Sequence, residues 1–471
     1  MGVIRRIKFK KPKRAKVELG RFYGLDHRVD GDVSGYNRAD VCYNFSCKDG
    51  TLRPSFGLKN VRDLYTIANY DIVESVYYFR HNDYANGVND DRIISYCRSG
   101  NMYTVSASGG QFVKIPGLHF SSKPKGVCYN YNSKDVIIFS AENEGIKIYD
   151  GQSVTVVPDA PSVTSMCVHA ERLFITSGGV DGALWFSDDF DPTNWNVSLT
   201  EAGFIDMSDD RGEMLEAVAF GGNVYVFRSY GVSKITAYGD QTEFSVSHLL
   251  VSCGKIYKNT VIVCGDCILF FATDGMYRFD GYNAVRISDP WFDVVSADQD
   301  FTKGVYYNGY AYYIISVMLD GKLRRGVICV SPDGKDYNFS FVATILDISV
   351  MNGEGMYKLF AVENMKLNIF EVVNGAGWDG DDIYMEWRSK ETDFGIKGRE
   401  KRLEKVRFYS SAPLTFSVVA DGVKSSYEVV PKNGVCEVNV RKKGDRFAIY
   451  FYVAGVNVEI SAVELEFQYY T

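Results

Sequence analysis

The sequence predicts an all-β protein: a β-propeller of six or seven blades with a C-terminal antiparallel β-sandwich and a basic N-terminal arm. Three observations predict it. The chain holds 33 Tyr and 30 Phe against 11 Pro, with 44 Gly, the balance of strands joined by tight turns rather than of helices. A unit of two apolar runs separated by Gly-containing turns recurs from about residue 70 to 375. A final stretch shows clean two-residue alternation.

The recurring unit begins with Ile93–Val105, where Gly100-Asn101 separates two apolar runs. Asp135–Phe139 with Ile146–Gly151, Arg172–Thr176 with Ala183–Ser187, and Asn223–Phe227 with Val232–Ile235 continue it. Cys267–Phe271 with Met276–Gly281, Ala311–Ile315 with Gly326–Val330, and Lys358–Val362 with Leu367–Phe370 close the series. The turn-bearing landmarks Gly110, Gly151, Asp189, Asp240, Gly281, Gly334 and Gly375 fall about forty to fifty residues apart, the length of one four-stranded blade. A ring of blades otherwise leaves two raw edges, so closure by an N-terminal strand from roughly residues 60 to 80 is expected, with Asp71–Phe79 as the candidate.

A Gly- and Asp-rich stretch at Gly375–Asp382 marks a boundary, placing the propeller at residues 21–375 and the sandwich at 383–471. Beyond it about seven strands are expected. Ile383, Met385 and Trp387 share one face, as do Val463, Leu465, Phe467 and Tyr469. Val458 and Ile460 have the opposite parity, so a bulge near Ser461 is expected.

Residues 1–20 read as an arm. Arg5, Arg6, Lys8, Lys10, Lys11, Lys13, Arg14 and Lys16 stand there without an acid before Glu18. The chain has 52 basic and 59 acidic residues; without those eight, 44 face 59 and the body carries a formal charge of −15. Ile7 and Phe9 alternate with basic residues as in a short two-faced strand, which could add to a sheet edge of an acidic neighbour. Two other readings compete: sequence-independent contact with phosphates of passing DNA, and an undocked solvated tail. The charge segregation favours docking on a neighbour over both, with residues 1–16 ordered only against a neighbouring subunit or tail partner.

With 46% hydrophobic and 24% charged residues the chain is not a disordered one. No apolar run reaches the length of a membrane span, and the basic N-terminus lacks the apolar segment of a secretion signal. Assembly in a reducing cytoplasm and ten free thiols are the expectation. Cys264 and Cys267 have metal-ligand spacing, but Gly265-Asp266 reads as a hairpin turn with the sulfurs on opposing strands, and the looser Cys42 and Cys47 pair lies far away in sequence.

Three stretches then carry a resemblance. The first is Gly24–Asp30, followed by Ala39–Phe45 with its Asn-Phe pair and by Lys48-Asp-Gly-Thr-Leu52. The second is Arg172–Gly179 with Leu184–Asp189 and Asp191-Pro-Thr-Asn-Trp195; the third is Phe271–Gly281 with Ile287-Ser288. In order and spacing they resemble the propeller proteins in the tails of short-tailed and related phages, the nozzle or DNA-stabilising head-completion class. Trp387–Lys390 and the C-terminal strands resemble that family's terminal domain. The resemblance implies a structural virion protein, assembled in the host cytoplasm into a homo-oligomeric tail ring, nozzle or hub. Its partners would be portal, adaptor or other tail proteins.

No catalytic, cofactor-binding or metal-binding residue stands out, and no cofactor is expected. Ser187, Asp189, Asp191 and Trp195 form a degenerate Asp-box, in which acidic and amide side chains cap backbone N–H groups over a packed indole; such turns brace blades. Neither a nucleophile elbow nor a phosphate-binding glycine loop is present. The alternative from a different class is a propeller that binds or cleaves host-surface glycans. It would require aromatic side chains on one face and carboxylates converging in a central pocket.

Overall fold

The computed structural model describes residues 11–28, 35–61, 65–67, 71–177, 182–249, 251, 253–295, 303–319, 321–341, 345–353, 356–363, 369–373, 375, 377–378 and 381–470. They are all-β: among them are strands and three short 3-10 turns, with no α-helix and so no helix long and apolar enough to cross a membrane. The chain forms two compact units, one of Leu58–Lys335 with Val342–Val372, the other of Met1–Gly57 with Asp336–Phe341 and Val373–Thr471.

The larger unit is propeller-like, a succession of small antiparallel sheets. The first holds Val73–Phe79, Arg92–Cys97, Asn101–Ser106 and Gly110–His119, with Tyr65–Ile67 running parallel to the last of these. The second holds Lys125–Tyr131, Lys134–Ser140, Ile146–Tyr149 and Val154–Val157, and the third Ser165–His169, Arg172–Thr176, Ala183–Phe186 and Gly203–Asp206. Met214–Phe220, Asn223–Arg228, Gly231–Thr236 and Ser245–Leu249 make the fourth; Ile262–Cys264, Cys267–Ala272, Gly275–Phe279 and Ala284–Arg286 make the fifth. Lys303–Tyr307, Tyr310–Leu319 and Lys322–Val330 follow, and then Ile345–Gly353, Met356–Glu363 and Ile369–Val373.

The apolar pattern explains this layering. Second strands such as Arg172–Thr176 and Cys267–Ala272 are buried at every residue, because sheets on both sides cover both their faces. Fourth strands such as Ser245–Leu249 are largely open to solvent. Rings interdigitate between neighbouring sheets: Phe227 of the fourth lies 5.3 Å from Phe270 and 5.8 Å from Phe279 of the fifth, in tilted and T-shaped geometry respectively. The turn Asn308-Gly309 joins Tyr307 to Tyr310 with φ of 49° and 83°, the two-residue hairpin for which Asn-Gly is suited.

Closure differs from the expectation. Asp71–Phe79 is not the closing strand of the last sheet; Val73–Phe79 pairs with Arg92–Cys97 as the first strand of the first sheet. The last sheet instead takes Gly57–Asn60 beside Ile369–Val373. Around the interior, first strand follows first strand, and Ile345–Gly353 packs against Val73–Phe79. Ser349 Oγ donates to the Val76 carbonyl at 2.6 Å across this junction.

In the smaller unit, one sheet runs in the order Lys13–Leu19, Ile460–Tyr469, Lys401–Ser410, Val435–Gly444. The other runs Tyr337–Ser340, Ala39–Tyr43, Tyr384–Ser389, Phe447–Ala454, Leu414–Ala420, Val423–Val429. They share one core in which Phe22, Trp387, Phe408, Phe416, Phe451 and Phe467 are at most 2% exposed. The expected faces are found: Ile383, Met385 and Trp387 are buried, as are Val463, Leu465 and Phe467. The bulge is found as well, with Ala462 at φ 53° and a register shift opposite Arg407–Tyr409. Asn44, at φ 58°, explains the Asn-Phe pair: its amide donates to the Tyr384 carbonyl at 2.7 Å and accepts from the Phe341 N–H at 2.8 Å, while Phe45 is fully buried.

Two boundaries are thereby corrected. Residues 21–57 and 336–341 belong with the C-terminal strands, not with the propeller-like unit, because Ala39–Tyr43 pairs with Tyr384–Ser389 on one side and Tyr337–Ser340 on the other. The arm is also shorter than residues 1–20. Lys13–Leu19 pairs along its whole length with Leu465 and its neighbours in Ile460–Tyr469 of the same chain. The acidic partner sought in a neighbouring subunit is this chain's own last strand, where Lys16 Nζ meets Glu464 at 2.5 Å.

Candidate functional site

Residues on or beside the first strands of the sheets wall a cavity of about 1110 Å³, slightly larger than most small-molecule sites. Val76–Tyr78, Lys123–Gly126, Cys128, Val163–Met166, Glu216, Lys258, Asn259, Val261, Lys303–Val305 and Ser349-Val350 reach it. The first strands lie innermost, so residues on or just before them converge there although they stand far apart in sequence.

A charged cluster lies in its wall, with Lys123, Lys303 and Ser349 reaching the cavity and Asp347 beneath them. Asp347 is fully buried, and both Lys303 and Lys123 approach the same oxygen, Oδ1, at 2.5 and 3.0 Å. Ser75 Oγ donates to Oδ2, which ties the first and last sheets together. Lys303 Nζ also donates to Ser349 Oγ at 3.3 Å. Burial pushes the Asp347 carboxyl up, but the two ammonium groups and these bonds outweigh it and hold it below the usual carboxylate range. Burial pulls Lys303 down to about 8 in spite of Asp347, with Lys123 and Lys125 adding repulsion. A second pair, Lys125 Nζ to Glu216 Oε1 at 3.4 Å, joins the first strands of the second and fourth sheets.

Sequence reasoning missed this cluster, since its members come from three different sheets and a connecting segment, far apart in sequence. One signal was present: Asp347 interrupts the apolar run Ile345-Leu-Asp-Ile-Ser-Val350 at a position where a strand buried on both faces tolerates a charge only if it is paired.

The expected arm residues divide. Arg5, Arg6, Ile7, Lys8, Phe9 and Lys10 lie outside the described residues. Lys11, Lys13, Arg14 and Lys16 are exposed, the last three on the strand Lys13–Leu19.

The turn residues come together as a brace, with one reassignment. Ser187 Oγ accepts from the Leu173 N–H at 3.0 Å, Asp191 Oδ1 accepts from the Thr193 N–H at 2.9 Å, and Trp195 Nε1 donates to the Pro192 carbonyl at 3.1 Å. The central cap is Asp188 rather than Asp189. Its carboxylate accepts from the N–H groups of Asp189 and Glu201 at 2.9 and 3.1 Å and from the Asn194 amide at 3.2 Å.

Cys264 and Cys267 face each other across a two-residue hairpin, buried, and burial pushes both thiols up. Cys42 and Cys47 bring their sulfurs within 3.8 Å. Among the described residues no group of three His, Cys, Asp or Glu is placed to hold a metal ion.

No protein-family model matches the sequence, and no curated protein matches it. Solved structures do resemble it at the level of the chain trace. A BBS1 N-terminal domain in complex with ARL6 aligns at 10% identity and a TM-score of 0.44, over 72% of this chain and 99% of that one. PorZ, a surface component of the type-IX secretion system of Porphyromonas gingivalis, aligns at 10% identity and a TM-score of 0.44, over 79% of this chain and 46% of that one. The extracellular domain of the hybrid two-component system BT4673 from B. thetaiotaomicron aligns at 10% identity and a TM-score of 0.41, over 74% and 43%.

Proposed function

We propose that this chain is a non-enzymatic structural protein of a tailed phage, one subunit of a tail ring, nozzle or hub that joins tail components and lets DNA pass. In this reading the successive sheets of the larger unit are seven blades, the seventh completed by Gly57–Asn60, and the two sheets of the smaller unit form a β-sandwich. The observation that carries it is the basic edge strand. Lys13–Leu19 ends its sheet, with one neighbour among the described residues, so its outer edge offers backbone N–H and C=O groups to another chain. Lys13, Arg14 and Lys16 are exposed along it, and six further basic or apolar residues, Arg5–Lys10, lead into it. The body's surplus of acid supplies a complementary surface on a second copy or a tail partner. The order of the three family-like stretches adds support.

Deletion of residues 2–10 tests this. The deletion spares every strand pair of Lys13–Leu19, so the melting temperature of the monomer should be unchanged. Incorporation into particles should fall several-fold, and salt near 0.5 M should weaken assembly of the intact chain. Incorporation equal to that of the full chain would make the segment an idle tail. Normal incorporation with loss of packaged DNA would assign it to phosphate contact instead.

A further inference from the structure

We infer that the interior cavity of the propeller-like unit is a binding site for a small oxyanion, a phosphate- or carboxylate-bearing molecule, held chiefly by Lys303, Lys123 and Lys125. The cavity's charge is the first reason. Six cationic side chains line it, against Glu74, Glu142 and Glu216 and the Asp347 beneath, in a chain whose formal charge is −7. Positive charge is therefore gathered here against the overall balance.

The pairing pattern is the second reason. Arg98 is taken up by Glu74 at 2.9 Å and Lys125 by Glu216 at 3.4 Å, but Lys123 and Lys303 share a single carboxylate oxygen. One negative charge cannot neutralise two ammonium groups. An anion entering the cavity supplies the missing charge, and in a recess walled by protein its field is focused rather than screened. Burial pulls the Lys303 ammonium down to about 8, as expected of a cation short of counter-charge.

The wall chemistry is the third reason. Ser122 and Asn259 reach the same space and can donate hydrogen bonds to the remaining oxygens, while Tyr77, Ile137 and Val163 give it apolar sides. The inference is independent of a role in a phage tail and survives if that role is wrong.

Calorimetric titration of the full chain at low salt, with inorganic pyrophosphate and separately with citrate, tests it. Saturable binding near one per chain by either probe is expected; pyrophosphate alone would identify phosphate ligands and citrate alone carboxylates. Lys303→Met leaves Lys123 on Asp347 and should weaken binding by about tenfold, the loss of one charge-assisted contact. Glu216→Gln keeps shape, frees Lys125 and should tighten binding by several-fold. Circular dichroism confirms that each variant is folded, and Lys125→Met serves in place of Lys303→Met if that variant is not. Absence of saturable heat with both probes overturns the inference. So does binding that none of the variants alters, since the anion would then sit elsewhere.

Discussion

Asp347→Asn should lower the unfolding free energy of the propeller-like unit by roughly 3 kcal/mol, among the largest effects expected of an isosteric change in this chain. The substitution leaves Lys123 and Lys303 against one another with no counter-charge and weakens the bond from Ser75 that links the first and last sheets. The value sits at the low end for a broken buried pair because both lysines keep access to the cavity: their side chains are 40% and 28% exposed. Chemical denaturation measures it. Acid gives a second reading of the same group. Its folded-state pKa is depressed, so its contribution is present above the unfolded carboxylate value of about 4 and disappears as pH falls through the folded value. The stability gap between wild type and Asp347→Asn should therefore close on acidification below about pH 4. A gap that persists unchanged into acid would mean that the carboxylate charge is not what holds the cluster.

Trp387→Ala should cost about 3–5 kcal/mol in the smaller unit. The indole is fully buried, with Phe22 edge-on at 4.8 Å and Phe451 at 6.2 Å, and its Nε1 donates to the Tyr23 carbonyl at 3.1 Å. The cavity would remove a ring contact from each partner and orphan that carbonyl. Hydrogen exchange followed by mass spectrometry should show lost protection in Tyr384–Ser389 and Phe447–Ala454 and in the segment around Phe22. Protection unchanged around Phe22 would mean that the N-terminal residues are held by their backbone pairing and not by this core.

What was legible in the sequence is what short-range periodicity encodes. Continuous apolar runs such as Cys267–Ala272 and turns such as Asn308-Gly309 mark buried strands and hairpins wherever they occur, and the parity break before Val463 marks the bulge at Ala462. Pairings between distant segments leave no such trace. Tyr337–Ser340 lies in the middle of the chain's repeats, yet it runs parallel to Ala39–Tyr43 in the smaller unit. Gly57–Asn60 is too short to show alternation, whereas Asp71–Phe79 shows it well; the better pattern therefore drew the closure to the wrong strand. The arm was misjudged because its first residues are so basic. The alternation of Ala15, Val17 and Leu19 against Lys16 and Glu18 was already the signature of a half-buried edge strand, and Lys16 stands opposite Glu466 in register. The lysine cluster escaped notice for the same reason as the long-range pairings: Lys123, Lys303 and Asp347 meet only because each stands on the first strand of its sheet or just before it.

The central claim, a structural subunit assembled through the edge of Lys13–Leu19, is tested most directly by imaging tailed particles that contain this chain at side-chain resolution. The account predicts several copies in one symmetric ring within the tail, each with a neighbouring chain lying against the outer edge of Lys13–Leu19. Particles that lack the chain while it persists as isolated monomers, or a ring in which that edge faces open solvent, would contradict it.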